Sequence, residues 1–152
     1  MKMPVLGLTV ETKTFELAEE VELATKGIQA VKTDKAPAYL GFMSSAIKVG
    51  DLMFTGGSIP RHPGTLEIPG TFDEQCKLVM ENLKAVVEAG GTSLANAIKV
   101  NVYLADINNW ARFNDFFKEY FTGDPPPART AVQIARLNND YMVEVEAVVY
   151  AP

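Results

Sequence analysis

The sequence predicts an α+β fold, with one sheet and two long helices on a single face. Three observations carry this. Two segments, 71–91 and 108–123, have apolar residues at helical spacing. Strand patterns precede, separate and follow them, in the order β-β-α-β-α-β-β, with a short strand in front. Two helices can cover one face of such a sheet and not both.

The elements follow in chain order. In "TFELAEEVELATK" (14–26), Leu17, Val21 and Ala24 lie near helical spacing, and Gly27 is placed to stop a helix. "IQAVKT" reads as a short strand and "APAYLGFM" as a loop. "SSAIKVGDLMFTGG" reads as two strands around a tight Gly50-Asp51 turn. Thr71 and Glu74 have capping-box spacing, Leu78, Val79, Leu83, Val86 and Val87 form an apolar stripe, and Gly90-Gly91 ends it. "NAIKVNVYLAD" is a strand. Asn108 or Asn109 is placed to cap the helix "WARFNDFFKEYF", whose aromatic stripe reads as core. "RTAVQIAR" and "MVEVEAVVY" are the closing strands. In the last, Val143, Val145, Ala147 and Val149 alternate with Met142, Glu144, Glu146 and Val148, so both faces carry apolar groups. An uncovered apolar face predicts self-association.

Composition narrows the chemistry. A chain of 152 residues, 47% hydrophobic and 22% charged, suits one folded domain. One cysteine, Cys76, forms no intramolecular disulfide and fits a reducing, cytoplasmic setting. The sequence predicts neither a secretory signal nor a membrane span. A net charge of −5 argues against nucleic acid as a main partner. The single histidine, His62, lies in the loop pattern "PRHPGT", and the ligands for a Cys/His metal site are missing. "TGGS" lacks the Lys-Ser/Thr of a phosphate loop.

The stretch "PPPART" (125–130) draws attention to Arg129. Proline fixes φ and restricts its predecessor, so this arginine arrives on a stiffened backbone. Arg129, Ala131, Gln133 and Ala135 share one strand face, and Glu144 and Glu146 share another. If those strands pair, an arginine fork for a carboxylate and a glutamate that activates water stand near one sheet end. A structural ion pair between strands is the bland alternative.

"APAYLGF", "GDLMFTGGSIP", the block from "ENLKAVVEAGGTSLANAIKVNVYLAD" to "FNDFFKEYF", "PPART" and "ARLNNDYMVEVEAVVY" together resemble the Rid (YjgF) family of imine deaminases. The resemblance covers about residues 29–150 and leaves 1–28 as an N-terminal extension before a single domain, 29–152. It implies a chorismate-mutase-like fold with a single mixed sheet, a homotrimer with sites between subunits, and no cofactor or metal. It implies Arg129 as the carboxylate grip and Glu144 as the group beside the hydrolytic water. Met43, Gly56, Gly57, Ser58, Ala131 and Asn114 fall at the implied substrate site. The implied reaction converts 2-imino or 2-enamino acids to 2-oxo acids and ammonia.

The sequence also departs from the family pattern. Gly41-Phe42-Met43 replaces a frequent Gly-Pro-Tyr, so the pocket tyrosine is expected to be missing, with Tyr39 four positions too early. Gly56-Gly57-Ser58 replaces Ser-Gly-Gln, and Ala131 replaces a small Cys or Ser. These changes predict a roomier, more apolar pocket and a bulkier substrate. The alternatives are other chemistry on a small carboxylate (isomerisation, cyclisation or dehydration) and ligand binding without turnover. The acidic charge and lone loop histidine weigh against a ribonuclease.

Overall fold

Thr71 starts the longest helix, α1 (Phe72–Ala89). Its hydroxyl accepts from the Glu74 amide and its own amide donates to the Glu74 carboxylate, which completes the predicted capping box. Val79, Leu83, Val86 and Val87 of the predicted stripe are buried, joined by Cys76 and Met80, while Leu78 is half-buried at its flank. The computed structural model describes residues 27–39 and 41–152. The helix expected over 14–26 lies outside the described residues.

Six strands form one mixed sheet: β1 (Ile28–Val31), β2 (Ala46–Val49), β3 (Leu52–Thr55), β4 (Ala97–Leu104), β5 (Ala128–Gln133) and β6 (Val143–Tyr150). Gly50, at φ +53°, makes the left-handed turn between β2 and β3 that a side chain would strain. The spatial order is β1-β2-β3-β6-β4-β5, antiparallel except for β4 with β5. The second helix, α2 (Trp110–Tyr120), forms the crossover that a parallel pair requires. The Asn109 side chain makes no capping bond, contrary to expectation. Asp106 instead accepts from the Asn108 amide and caps the short 3-10 turn before α2.

Alternation decides which side of each strand is buried. Val100, Val102 and Leu104 of β4 and Val143, Val145 and Val149 of β6 are fully buried against the helices. The other face has no cover among the described residues. It carries a polar cluster on β4 and β6, and exposed Ile28, Val49, Leu52, Phe54 and Tyr150 towards β1. The predicted half-covered sheet with apolar residues on its bare face is therefore present.

The strand of Arg129 and the strand of Glu144 do not pair. β4 lies between them, with Val100 opposite Arg129 and Tyr103 opposite Glu144. A hairpin between β5 and β6 needs a tight turn. The connection instead contains a 3-10 turn with Asn139 and Asp140 at φ 52° and 55°, and it carries the chain across to the far side of β4.

Candidate active site

Glu144 stands at the start of β6, where the cover of the sheet ends and a cleft opens. Gly57, just beyond β3, lies directly against its carboxylate: a Cβ there would collide with Oε1 and Cδ. Only a glycine lets the backbone pass so close. Burial, and then the neighbouring charge of Glu146, hold the Glu144 carboxyl above the usual range. Glu146 is itself engaged, accepting from Asn101 Nδ2 at 2.9 Å and from the Tyr103 hydroxyl at 2.8 Å. Among the described residues no hydrogen-bond donor engages Glu144, so its oxygens remain available to water or ligand.

The cleft has a volume of about 690 Å³ and is lined by Tyr39, Met43, Gly56, Gly57, Arg61 and Glu144, with Asn138, Asn139 and Tyr141 at its far side. Tyr39 corrects the expectation of a missing pocket tyrosine. Its hydroxyl donates to the Gly57 carbonyl, and burial followed by the Glu144 charge raises its pKa to about 12. It remains a neutral donor at neutral pH. Gly56 makes room for it: a Cβ at Gly56 would sit 3.3 Å from the Ser44 carbonyl oxygen and 3.5 Å from Cε1 of the Tyr39 ring. The tight contact for a side chain at Gly56 is thus the Ser44 carbonyl, with the Tyr39 ring in ordinary van der Waals contact beside it. Tyr39, Arg61 and the two asparagines give the cleft a polar lining that the departures did not suggest.

Ser58 does not line the cleft. Its backbone bridges to Val145, its side chain is buried, and its hydroxyl donates to the Val79 carbonyl of α1 at 2.8 Å. This position joins helix to sheet.

Arg129 and Ala131 occupy a different place, on the helix-facing side of β5. Ala131 packs against the core. The Arg129 guanidinium lies over the Phe117 ring at 4.5 Å and near the Trp110 ring at 5.3 Å. Asn114 is four residues after Trp110 and three before Phe117, so it shares their helix stripe. The aromatic stripe is therefore only partly core: Phe113 is buried, while Trp110 is 43% exposed and flanks the cation. Burial lowers the Arg129 pKa, yet a guanidinium stays charged. In one chain the predicted residues fall into two separate groups: Glu144 with Gly56, Gly57 and Met43 at the cleft, and Arg129 with Ala131 and Asn114 on the other face of the sheet. Cys76 offers no nucleophile, since burial raises its thiol pKa to about 12. His62 lies in its loop, as expected, and among the described residues no His/Cys/Asp/Glu cluster could hold a metal. No helix among them is long and apolar enough to cross a membrane.

Residues 33–151 match the family model described as endoribonuclease L-PSP. RidA from the Antarctic bacterium Psychrobacter sp. superposes with a TM-score of 0.76 at 41% identity, over 80% of this chain and 98% of that one. The chain belongs to the Rid (YjgF) family. A second Rid relative, a RutC family protein of Pyrococcus abyssi, is 46% identical over 80% of this chain and 96% of its own. A third is TdcF of Escherichia coli, whose assigned name is that of a reactive intermediate deaminase, at 38% identity over 78% of this chain and 93% of its own. A TdcF crystal structure with bound serine has a TM-score of 0.76 at 36% identity, covering 82% of this chain and 99% of that chain. The single mixed sheet with two helices is thus the Rid fold, and the family includes deaminase-named members that this chain matches over nearly their whole length.

Sequence reasoning set Tyr39 aside and did not single out Arg61. Arg61 carries the same signal that drew attention to Arg129: "PRHP" brackets it with Pro60 and Pro63.

Proposed function

We propose that this Rid protein hydrolyses a 2-imino or 2-enamino carboxylic acid to the 2-oxo acid and ammonia. The reaction takes place at sites completed between the chains of a homotrimer. One observation carries the reading: Arg129 and Glu144 sit in separate half-sites on opposite faces of one sheet. A single small substrate meets both only if they come from two chains. The bare apolar sheet face supplies surface for such association. The serine bound in the TdcF structure supports a small amino-acid-like carboxylate as ligand.

The roles follow from the chemistry of the groups. Arg129, stacked on Phe117, offers a planar fork to the substrate carboxylate. Glu144, its proton affinity raised, takes a proton from water as the oxygen adds to the imine carbon. That proton passes to the imine nitrogen to give the carbinolamine, and Glu144 then shuttles the hydroxyl proton to the amino group as the C–N bond breaks, leaving the 2-oxo acid and ammonia. Gly57 leaves room for the Glu144 carboxylate, and Tyr39 holds the Gly57 carbonyl at the wall of the same cleft. The changes at Met43, Gly56 and Ser58 from the family pattern support a substrate bulkier than the imine of alanine or serine.

The test is release of ammonia and 2-oxo acid from imines generated in situ, small and bulky, by wild type, Arg129→Ala and Glu144→Gln. Wild type should accelerate hydrolysis, favour the bulky imines, and lose the acceleration in both variants. Hydrolysis no faster than in buffer would sink the deaminase reading.

A further inference from the structure

We propose that Arg61 forms a second anion subsite in the Glu144 cleft, so that the substrate is a 2-imino acid with a second acidic group on its side chain. This rests on the deaminase reading above and specifies its substrate class. The backbone around Arg61 is fixed from three directions. Pro60 and Pro63 bracket the turn, and the Arg61 amide donates to the Ile59 carbonyl at 2.9 Å. The carbonyls of Ile59 and Arg61 both accept from Nδ2 of Asn82 on α1, at 2.9 and 2.8 Å. Asn82 is only 3% exposed, so this clamp lies inside the protein.

The side chain is held as well. The guanidinium carbon lies 5.7 Å from the centroid of the Tyr141 ring, itself buried, and the Tyr141 hydroxyl accepts from Asn139 Nδ2 at 3.2 Å. Yet this cation has no counter-charge among the described residues. Among the described residues no carboxylate lies within ion-pair distance of Arg61, Glu144 of the same cleft included. The nearby Asp140 pairs with Arg136 instead, at 2.9 Å. Arg61 Nε is buried with no hydrogen-bond acceptor among the described residues. Arg61 lines the cleft and its guanidinium makes no hydrogen bond among the described residues, and since polar groups in such places are nearly always partnered, it is suited to an anion that arrives with the ligand.

The charge of the cleft points the same way. A second carboxylate placed at Glu144 would be repelled, whereas one placed at Arg61 would be attracted. The cleft is also far larger than a three-carbon imino acid requires.

The experiment compares product analogues by titration calorimetry: 2-oxoglutarate, with two carboxylates, and 2-oxobutyrate, with one. Wild type should bind 2-oxoglutarate about tenfold or more tighter, the scale of a charge-assisted contact. Arg61→Met, which keeps the apolar stem, should erase that preference and leave 2-oxobutyrate binding unchanged. Equal affinities in wild type, or an equal loss of both ligands in Arg61→Met, would overturn the subsite. Arg129→Ala separates the two ideas. If both ligands depend on Arg129 while Arg61→Met changes neither, the subsite fails and the deaminase reading stands. If wild type binds neither ligand, both fail.

Discussion

Arg129 and Glu144 of one chain face opposite sides of the sheet. Arg129 lies opposite buried Val100 and under the aromatics of α2, while Glu144 lies opposite Tyr103 on the bare side. This relationship predicts complementation between chains. Arg129→Ala and Glu144→Gln trimers should each be inactive. After unfolding and refolding as a mixture, random association gives about a quarter of the sites one intact residue of each kind. Recovery of turnover to that level is the expected result; a mixture as inactive as its parents would place both residues in one chain's site.

Tyr39 and Gly56 should be coupled. Tyr39→Phe removes the hydroxyl that donates to Gly57, and turnover should fall by about tenfold or less while the fold persists, as for loss of one hydrogen bond. Gly56→Ser presses on the Ser44 carbonyl and packs against the Tyr39 ring, and should be harmful alone. In a Tyr39→Ala background the ring contact is gone and the carbonyl contact stays, so its cost should shrink only in part. A double-mutant cycle in kcat/KM with no interaction between the positions would contradict the contact.

Glu144 should set a pH dependence. Its carboxyl is held above the usual range by burial and by Glu146. The folded chain therefore binds this proton more tightly than the unfolded chain, and stability falls as pH rises from the ordinary glutamate range through the raised value. Glu144→Gln removes that loss. The variant should melt above wild type near pH 7 and close to it near pH 4, about where both states hold the proton. Turnover should rise over the same interval, since the ionised form is the base. Thermal melts that do not diverge with pH would show that burial does not penalise this charge.

Ser58→Ala separates structure from catalysis. The hydroxyl holds the Val79 carbonyl, so its loss should lower stability by about 1 kcal/mol. Turnover at a temperature where the variant is folded should be unchanged. A selective drop in turnover would return Ser58 to the site.

Local physics made much of this legible in the sequence. The Thr71–Glu74 capping box, the Gly50 turn and the alternation of β6 depend on residues a few positions apart, and each is found as read. Strand order was less legible. Neighbours in sequence often pair, but the left-handed residues Asn139 and Asp140 route β6 across the sheet, and no local pattern announced it. The cleft follows the same division. Glu144 and Gly57 were visible through family resemblance. Tyr39 was counted by position along the chain, whereas the loop brings its ring into the cleft beside Gly56. Arg61 needed the Asn82 clamp, which joins residues more than twenty apart.

The polar residues of α1 have one more consequence. Gln75 donates to the Pro69 carbonyl and accepts from the Met142 amide, Val79 receives the Ser58 hydroxyl, and Asn82 grips Ile59 and Arg61. Three successive turns of one helix thus fasten three different chain segments around the cleft. Those segments can come loose only when the helix itself lets go. The amide protons of Ser58 and Met142 should then exchange with deuterium as slowly as those of the middle of α1, in one cooperative opening and not as frayed loops.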